Sequence, residues 1–490
     1  MTTLLTASFF LIFNVLGVGE QITQHIYSLQ DQLILSQEQL YSYPDNSDGA
    51  PCTPMDHEYY RDCQPQYFTT DDGMKGWKIT LPEQLPLATP AYYNGKLYLG
   101  GGFGSYSFYA LDADRGTISW AVNTGDDGPT AAVVDQGIVV FNTESCIIYA
   151  LRASDGKDLW HHWLGDPLMS QPAISGRKVL MAYPGERGHM LICLDLFTGE
   201  TYWKHHIVSD IISAPVIDKD EVYLASFDGM IYCYSLEDGD ELWRENYNAT
   251  SAPWIFGEQV YTSLRQNEQS IDEHGNEIEL RFEGVGILSR MTGNRENDKL
   301  FGYQQADYLH ADRTSTLALE QAQQDASVGF STAPSTAQLD KAEENTGVFT
   351  VSGAWSYQGS RPVIYDQDCF NAQGNILQRT NPDNGEIVWK WEYTGDQDYG
   401  RQLTPPAIVN NKIFIGSNSG EIICIDAESG EELWKYNCGN PIVFQPSVMD
   451  GKVFWATANG KVFCLDTGDR NNTGWAMWGG NAAHNGWVEE

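Results

Sequence analysis

Positive charge is scarce in this chain of 490 residues. Against 66 Asp and Glu it carries only 29 Lys and Arg, a formal net charge of −37. A polyphosphate backbone would be repelled, so nucleic acid is excluded as a partner; the carboxylate surface suits solvation and would draw cations or basic partners. Long apolar runs are also missing. The one at residues 4–19 is short of the roughly 20 residues a bilayer-spanning helix needs. Its length fits a signal peptide over residues 1–19, without a Lys or Arg ahead of it. The expectation is a secreted or otherwise extracytoplasmic protein with no stable membrane span. No cysteine follows the run, so a lipid anchor at that point is not expected.

Several reaction signatures are absent as well. No Gly-rich phosphate loop and no Gly-x-Ser-x-Gly elbow occurs. Acidic turns such as Asp383-Asn384-Gly385-Glu386 lack the spacing of an EF-hand loop. No C-x-x-C-H marks an attached haem, and no two cysteines are adjacent. Nine cysteines are too few for a dense disulfide scaffold. Apolar residues at helical spacing are confined to the N-terminal region.

What is present is a repeat. A tryptophan follows a glycine by four residues at Gly73/Trp77, Gly116/Trp120, Gly156/Trp160, Gly199/Trp203, Gly239/Trp243, Gly385/Trp389 and Gly430/Trp434. Gly293 and Gly468 keep the turn without the tryptophan. Successive glycines lie 43, 40, 43, 40, 54, 92, 45 and 38 residues apart, which defines eight units. Each unit reads as four short antiparallel strands, rich in β-branched and aromatic residues and bounded by Gly, Asn, Asp or Pro. The glycine supplies positive φ in the turn before the fourth strand, and the tryptophan on that strand can cover the next unit. One buried indole removes roughly 200 Å² from water, a gross gain on the order of 5 kcal/mol. The tryptophans are therefore read as structural anchors.

The first turn has no three strands before it, and the last unit lacks an ordinary fourth. Pairing the strand around Trp77 with the C-terminal three strands would close a ring and remove its open edge. The expected architecture is all-β: an eight-bladed propeller over residues 75–469, preceded by a non-repeat segment (20–74) and followed by a C-terminal strap (470–490) across the rim. The polar stretch 297–347, rich in Ala, Gln, Ser and Thr, is read as a surface insertion, and residues 265–281 as a smaller elaboration.

The units Ala110-Leu111-Asp112 to Trp120, Cys193-Leu194-Asp195 to Trp203 and Cys424-Ile425-Asp426 to Trp434 resemble the pyrroloquinoline-quinone-like (PQQ-like) repeat family of β-propellers. That family includes quinoprotein alcohol dehydrogenases and BamB-type propellers. The resemblance covers residues 75 to about 470 and specifies a fold, while the family holds both enzymes and scaffolds. For an enzyme it implies a central quinone, a calcium ion on carboxylate and amide ligands, an aspartate base and often adjacent cysteines. The missing vicinal cysteines and the lack of a recognisable calcium set favour a non-catalytic scaffold for protein or ligand binding, with no cofactor. The alternative is a PQQ- and calcium-dependent alcohol or sugar dehydrogenase. A monomer with an unspecified protein partner or small ligand is expected.

Candidate residues follow from the first strand of most units, where a Ser/Thr-x-Pro element should line the channel; in the last unit Phe444 takes the hydroxyl position of this element. Its middle residue is Gln171, Ala214, Ala252, Arg361, Pro405 or Gln445. Arg361 is the sharpest candidate for an anionic ligand such as a carboxylate; Gln171 and Gln445 are the other ligand candidates. Cys193, Cys233, Cys424 and Cys464 share one repeat position with Ala110 and Ala150 and read as small buried fillers. Cys52 and Cys63 bracket a short Pro-containing loop, where secretion would make a disulfide plausible. His161-His162 and His205-His206 sit on fourth strands, so the members of each pair point to opposite faces and cannot share one metal.

Overall fold

Eight antiparallel sheets succeed one another along the chain, each ordered from an inner to an outer strand. The computed structural model describes residues 50–486 apart from 103, 166–169, 186–187, 208–212, 227, 272–276, 297–300, 309–359 and 396–401. Residues 1–49 and 487–490, with the expected signal peptide, lie outside the described residues. Blades 1 to 7 span residues 91–123, 133–163, 173–207, 216–246, 254–308, 362–392 and 407–437. Blade 8 is composite. Its inner three strands, Ser447–Met449, Lys452–Ala456 and Lys461–Asp466, are completed by Lys75–Thr80, with Trp77 opposite Cys464. The ring closes as the sequence indicates. Inner strands Ala91–Tyr93, Val133–Asp135, Ala173–Ser175 and Val216–Asp218 lie side by side in that order, and Ser447–Met449 returns to Ala91–Tyr93.

The small residues of the third strand have a steric reason. Ala110, Ala150, Cys193, Cys233, Cys424 and Cys464 stand directly opposite Trp120, Trp160, Trp203, Trp243, Trp434 and Trp77. In blades 1 to 4, 6 and 7 the register shifts by one residue just past this pair, a bulge that twists the outer strand. The indole then lies on the turn glycine of the following blade. At Gly116 (φ +72°) a Cβ would stand 2.5 Å from Trp77, so both conformation and space require glycine. Indole N–H groups complete the joint: Trp77 donates to Ala113 O (3.1 Å), Trp160 to Leu196 O (2.8 Å) and Trp243 to Arg290 O (2.7 Å). Trp120, Trp203 and Trp389 make the same type of bond. Trp434 is the exception. It packs on Phe414, and no ring covers Gly468, the turn of the next blade.

Two expectations are corrected. First, Cys52 and Cys63 are free thiols rather than a disulfide. The segment that carries them is laid along the rim instead of folding back on itself. Thr53–Pro54 pairs with the outer strand of blade 1, and Gln66–Thr69 adds a fifth strand to blade 8. Cys52 consequently joins the cluster that holds Leu159 of blade 2, its N–H donating to the Asp158 carboxylate (2.9 Å), and Cys63 packs against the cluster around Trp77 and Leu111. Second, the expected insertion begins too early. Phe301–Tyr308 is the outer strand of blade 5, paired with Glu277–Ser289 in a blade whose central strands run to 13 residues. Composition averaged over some fifty residues hid an eight-residue strand; the remainder, 309–347, lies outside the described residues.

Candidate functional site

The Ser/Thr ahead of three of the first strands donates its hydroxyl to a neighbouring blade, whereas Thr130, Ser213 and Thr404 bond within their own blade. Thr89 donates to Gln445 O (2.8 Å), Ser170 to Ser213 O (3.3 Å) and Ser360 to Ala252 O (2.8 Å). Gln445 is buried; its amide nitrogen donates to Pro406 O (2.7 Å), and its oxygen accepts from Gly479 N–H (2.9 Å). Arg361 is fully buried, and one guanidinium nitrogen donates to Ala372 O and Leu403 O, each at 3.1 Å. It ties blade 6 to the segment leading into blade 7. Gln171 differs from these two: it is equally buried, yet neither amide atom has a hydrogen-bond partner among the described residues. Replacing Arg361 by alanine should remove both carbonyl contacts and leave a cavity, lowering unfolding free energy in a denaturant titration by about 3 kcal/mol or more.

The C-terminal strap lies not on the rim but across the inner strands. Trp475 exchanges backbone bonds with Val448 in blade 8 (2.7 and 3.0 Å), and Ala476 O accepts from Tyr92 in blade 1 (2.6 Å). Farther on, Ala482 O accepts from Ile174 in blade 3 (2.7 Å), and Ala483 O from Ile217 in blade 4 (2.8 Å). Trp475 stacks on Trp254 of blade 5, with centroids 5.8 Å apart and planes at 6°. Inner strands have one unpaired edge each, and the strap satisfies several of these donors while burying Trp475, Met477 and Trp478. His484 pins it. Its two ring nitrogens lie 2.8 Å from Trp478 O and Pro172 O, and burial pushes its pKa down to about 4. The aromatic content of 475–478 marked this segment as buried; nothing in its sequence shows which strand edges it would meet.

The inner ring is poor in side chains that bind a metal. Its Ser/Thr-x-Pro positions hold Ser, Thr, Gln, Arg, Ala, Pro and, in the last unit, Phe444, and among the described residues no three His, Cys, Asp or Glu side chains gather as a metal would require. The histidine pairs serve the blade joints: His162 Nε2 lies 2.9 Å from Gly199 O, and His205 Nε2 lies 2.9 Å from Asp238 O, each on the next blade's turn.

Two features escaped sequence reading. A cavity of about 560 Å³ between blades 6 and 7 is lined by Tyr365, Phe370, Arg379 and Glu428 among others. Arg379 occupies the small-residue position opposite Trp389, and it bonds to Asp368 (2.6 Å) and to Ala427 O and Glu428 O. That break in the Ala/Cys register was the available signal. The other feature is Glu144, in the turn between the second and third strands of blade 2. It is 7% exposed, and both carboxylate oxygens lack a hydrogen-bond partner among the described residues.

A closed ring of eight four-stranded blades, with an indole seated on the next blade's turn glycine at six of the joints, defines the PQQ-like class of eight-bladed propeller. The family model described as outer membrane protein assembly factor BamB matches residues 46–170, 147–296 and 372–479, and the chain belongs to that family. The chain is similar to BamB of Nitrosomonas eutropha, 26% identical over 216 residues covering 40% of this chain and 53% of that protein. It is also similar to BamB of Yersinia pestis, 22% identical over 272 residues covering 50% and 62%. The chain thus spans between half and two thirds of the length of these relatives. Among solved structures, BamB from Moraxella catarrhalis superposes with a TM-score of 0.50 at 15% identity, over 82% of this chain and all of that one. Quinohemoprotein alcohol dehydrogenase from Comamonas testosteroni gives 0.50 at 13% identity, over 79% and 75%. At such identities these structures share the fold alone.

Proposed function

We propose that the protein is a non-catalytic, extracytoplasmic scaffold that binds other polypeptides in the assembly of outer membrane proteins, acting as a monomer without a cofactor. The observation that carries this reading is the use of the inner strand edges. The chain's own C-terminal strap occupies those of blades 8, 1, 3 and 4, and no metal-binding cluster gathers among the described residues. Family membership supports it, since the relatives are named for outer membrane protein assembly. Among the described residues no helix is long and apolar enough to cross a membrane.

The test has two arms. Deleting the gene in its host should lower the amount of folded, heat-modifiable barrel proteins in the outer membrane, with recovery on complementation. Purified protein given quinone and calcium should not reduce a dye in the presence of simple alcohols or sugars. Unchanged barrel levels would remove the assembly role, and dye reduction abolished by a chelator would replace it with a dehydrogenase.

A further inference from the structure

We propose that the acidic cluster where the connection 124–128 meets the turn 143–146 binds an organic cation, the guanidinium group of an arginine side chain. Three carboxylates meet there. Asp126 and Asp127 are half-buried on the connection from blade 1 to blade 2, and Glu144 is buried on the turn facing it. The two segments are zipped together by backbone. Glu144 N–H donates to Asp127 O (2.8 Å), Ser145 N–H to an Asp126 carboxylate oxygen (3.1 Å), and Gly128 N–H to Ser105 O (2.9 Å). Glu144 itself accepts no hydrogen bond, and none of the three carboxylates has a Lys or Arg partner among the described residues.

A buried carboxylate with no donor is costly, and a cationic group brought from outside the fold would offset that cost. Until then a proton fills the role. Burial, then Asp127 and Asp126, push Glu144 up to about 8. The other titratable groups near this cluster are Tyr106, whose exposed ring comes from the neighbouring loop of blade 1, and Tyr149 on the third strand of blade 2, with Cys146 on the turn itself. Among the described residues the side chains do not gather closely enough for a metal ion. A planar fork with five N–H donors spans wider carboxylate spacings than a bare ion, and it can lie against an aromatic ring. The net charge of −37 would speed the approach of such a group.

The assignment draws on the proposed function only in supposing that the arginine belongs to a partner polypeptide. The site is tested without a partner, by titrating the full chain calorimetrically with acetyl-Gly-Arg-Gly-amide at low salt and pH 7. The citrulline peptide serves as the neutral twin, and spermidine as the other source of organic cation. The arginine peptide should bind saturably and the citrulline peptide should not. The heat should differ between buffers of unequal ionisation enthalpy, because closing the ion pair expels on the order of one proton from Glu144. Glu144→Gln should weaken binding by about tenfold or more and abolish the buffer dependence, and Asp127→Asn should weaken it while leaving that dependence. Equal binding of the citrulline peptide, tighter binding of spermidine, no saturation by millimolar arginine peptide, or wild-type affinity in a normally melting Glu144→Gln would each overturn the assignment. Failure of the gene-deletion arm above would leave this titration unaffected.

Discussion

Replacing Trp77 by alanine should lower the unfolding free energy by about 3–5 kcal/mol, while Trp434→Ala should cost roughly half as much. The two residues hold the same place in the repeat, so sequence alone gives them equal weight. Their surroundings differ. Trp77 is 2% exposed, seats on Gly116 of the next blade, donates to Ala113 O and lies on the strand that closes the ring. Trp434 is only half-buried and covers no turn glycine. Removing Trp77 therefore deletes the indole burial, one buried hydrogen bond and a wedge on the strand that joins the two ends of the ring within blade 8. A denaturant titration of both variants with a common slope measures the difference, and equal losses would show that the joints share load evenly around the ring.

The contrast shows what the sequence could and could not convey. Gly-x-x-x-Trp spacing specifies turn and anchor because both are local: the turn demands positive φ, and four residues later the strand presents its outer face. Blade number and closure follow from counting such units, since a missing first three strands and a missing last strand complement each other. The fillers Cys193, Cys233, Cys424 and Cys464 were legible for the same reason, each recurring at one register. Contacts between distant segments were not legible. Residues 50–69 could have formed a disulfide-closed loop or a belt along the rim, and only the outer edges of blades 8 and 1 decide between them. The strap's aromatic residues announce burial without naming a partner. Arg361, the most conspicuous polar residue of the first strands, turns out to bridge blades through backbone carbonyls. Glu144 stood unnoticed among 66 acidic residues because its distinction is the absence of a partner, which only three dimensions reveal.

Acid should loosen the strap before it unfolds the ring. His484 is 2% exposed, and its pKa is held down to about 4, against an ordinary value near 6.5. The cause is burial, only partly offset by the carbonyls of Pro172 and Trp478. Because the folded value lies below the unfolded one, the unfolded or detached state binds the proton more readily. The contribution is thus complete above pH 6.5 and is lost as pH falls towards 4, reaching about 3 kcal/mol in full. Glu144 works in the opposite sense: its folded pKa is raised, so acid between about 8 and 4.5 favours the folded state. The measurement must therefore be a difference. Amide exchange protection at Ile174 and Ile217, whose N–H groups donate to Ala482 and Ala483, should fall between pH 6.5 and 4.5 in the wild type after correction for intrinsic rates. In His484→Gln, which cannot take up a proton, protection should be lower at neutral pH and nearly flat across the same range. A wild-type profile as flat as the variant's would mean that the strap is held by its tryptophans alone, with the histidine merely filling space between two carbonyls.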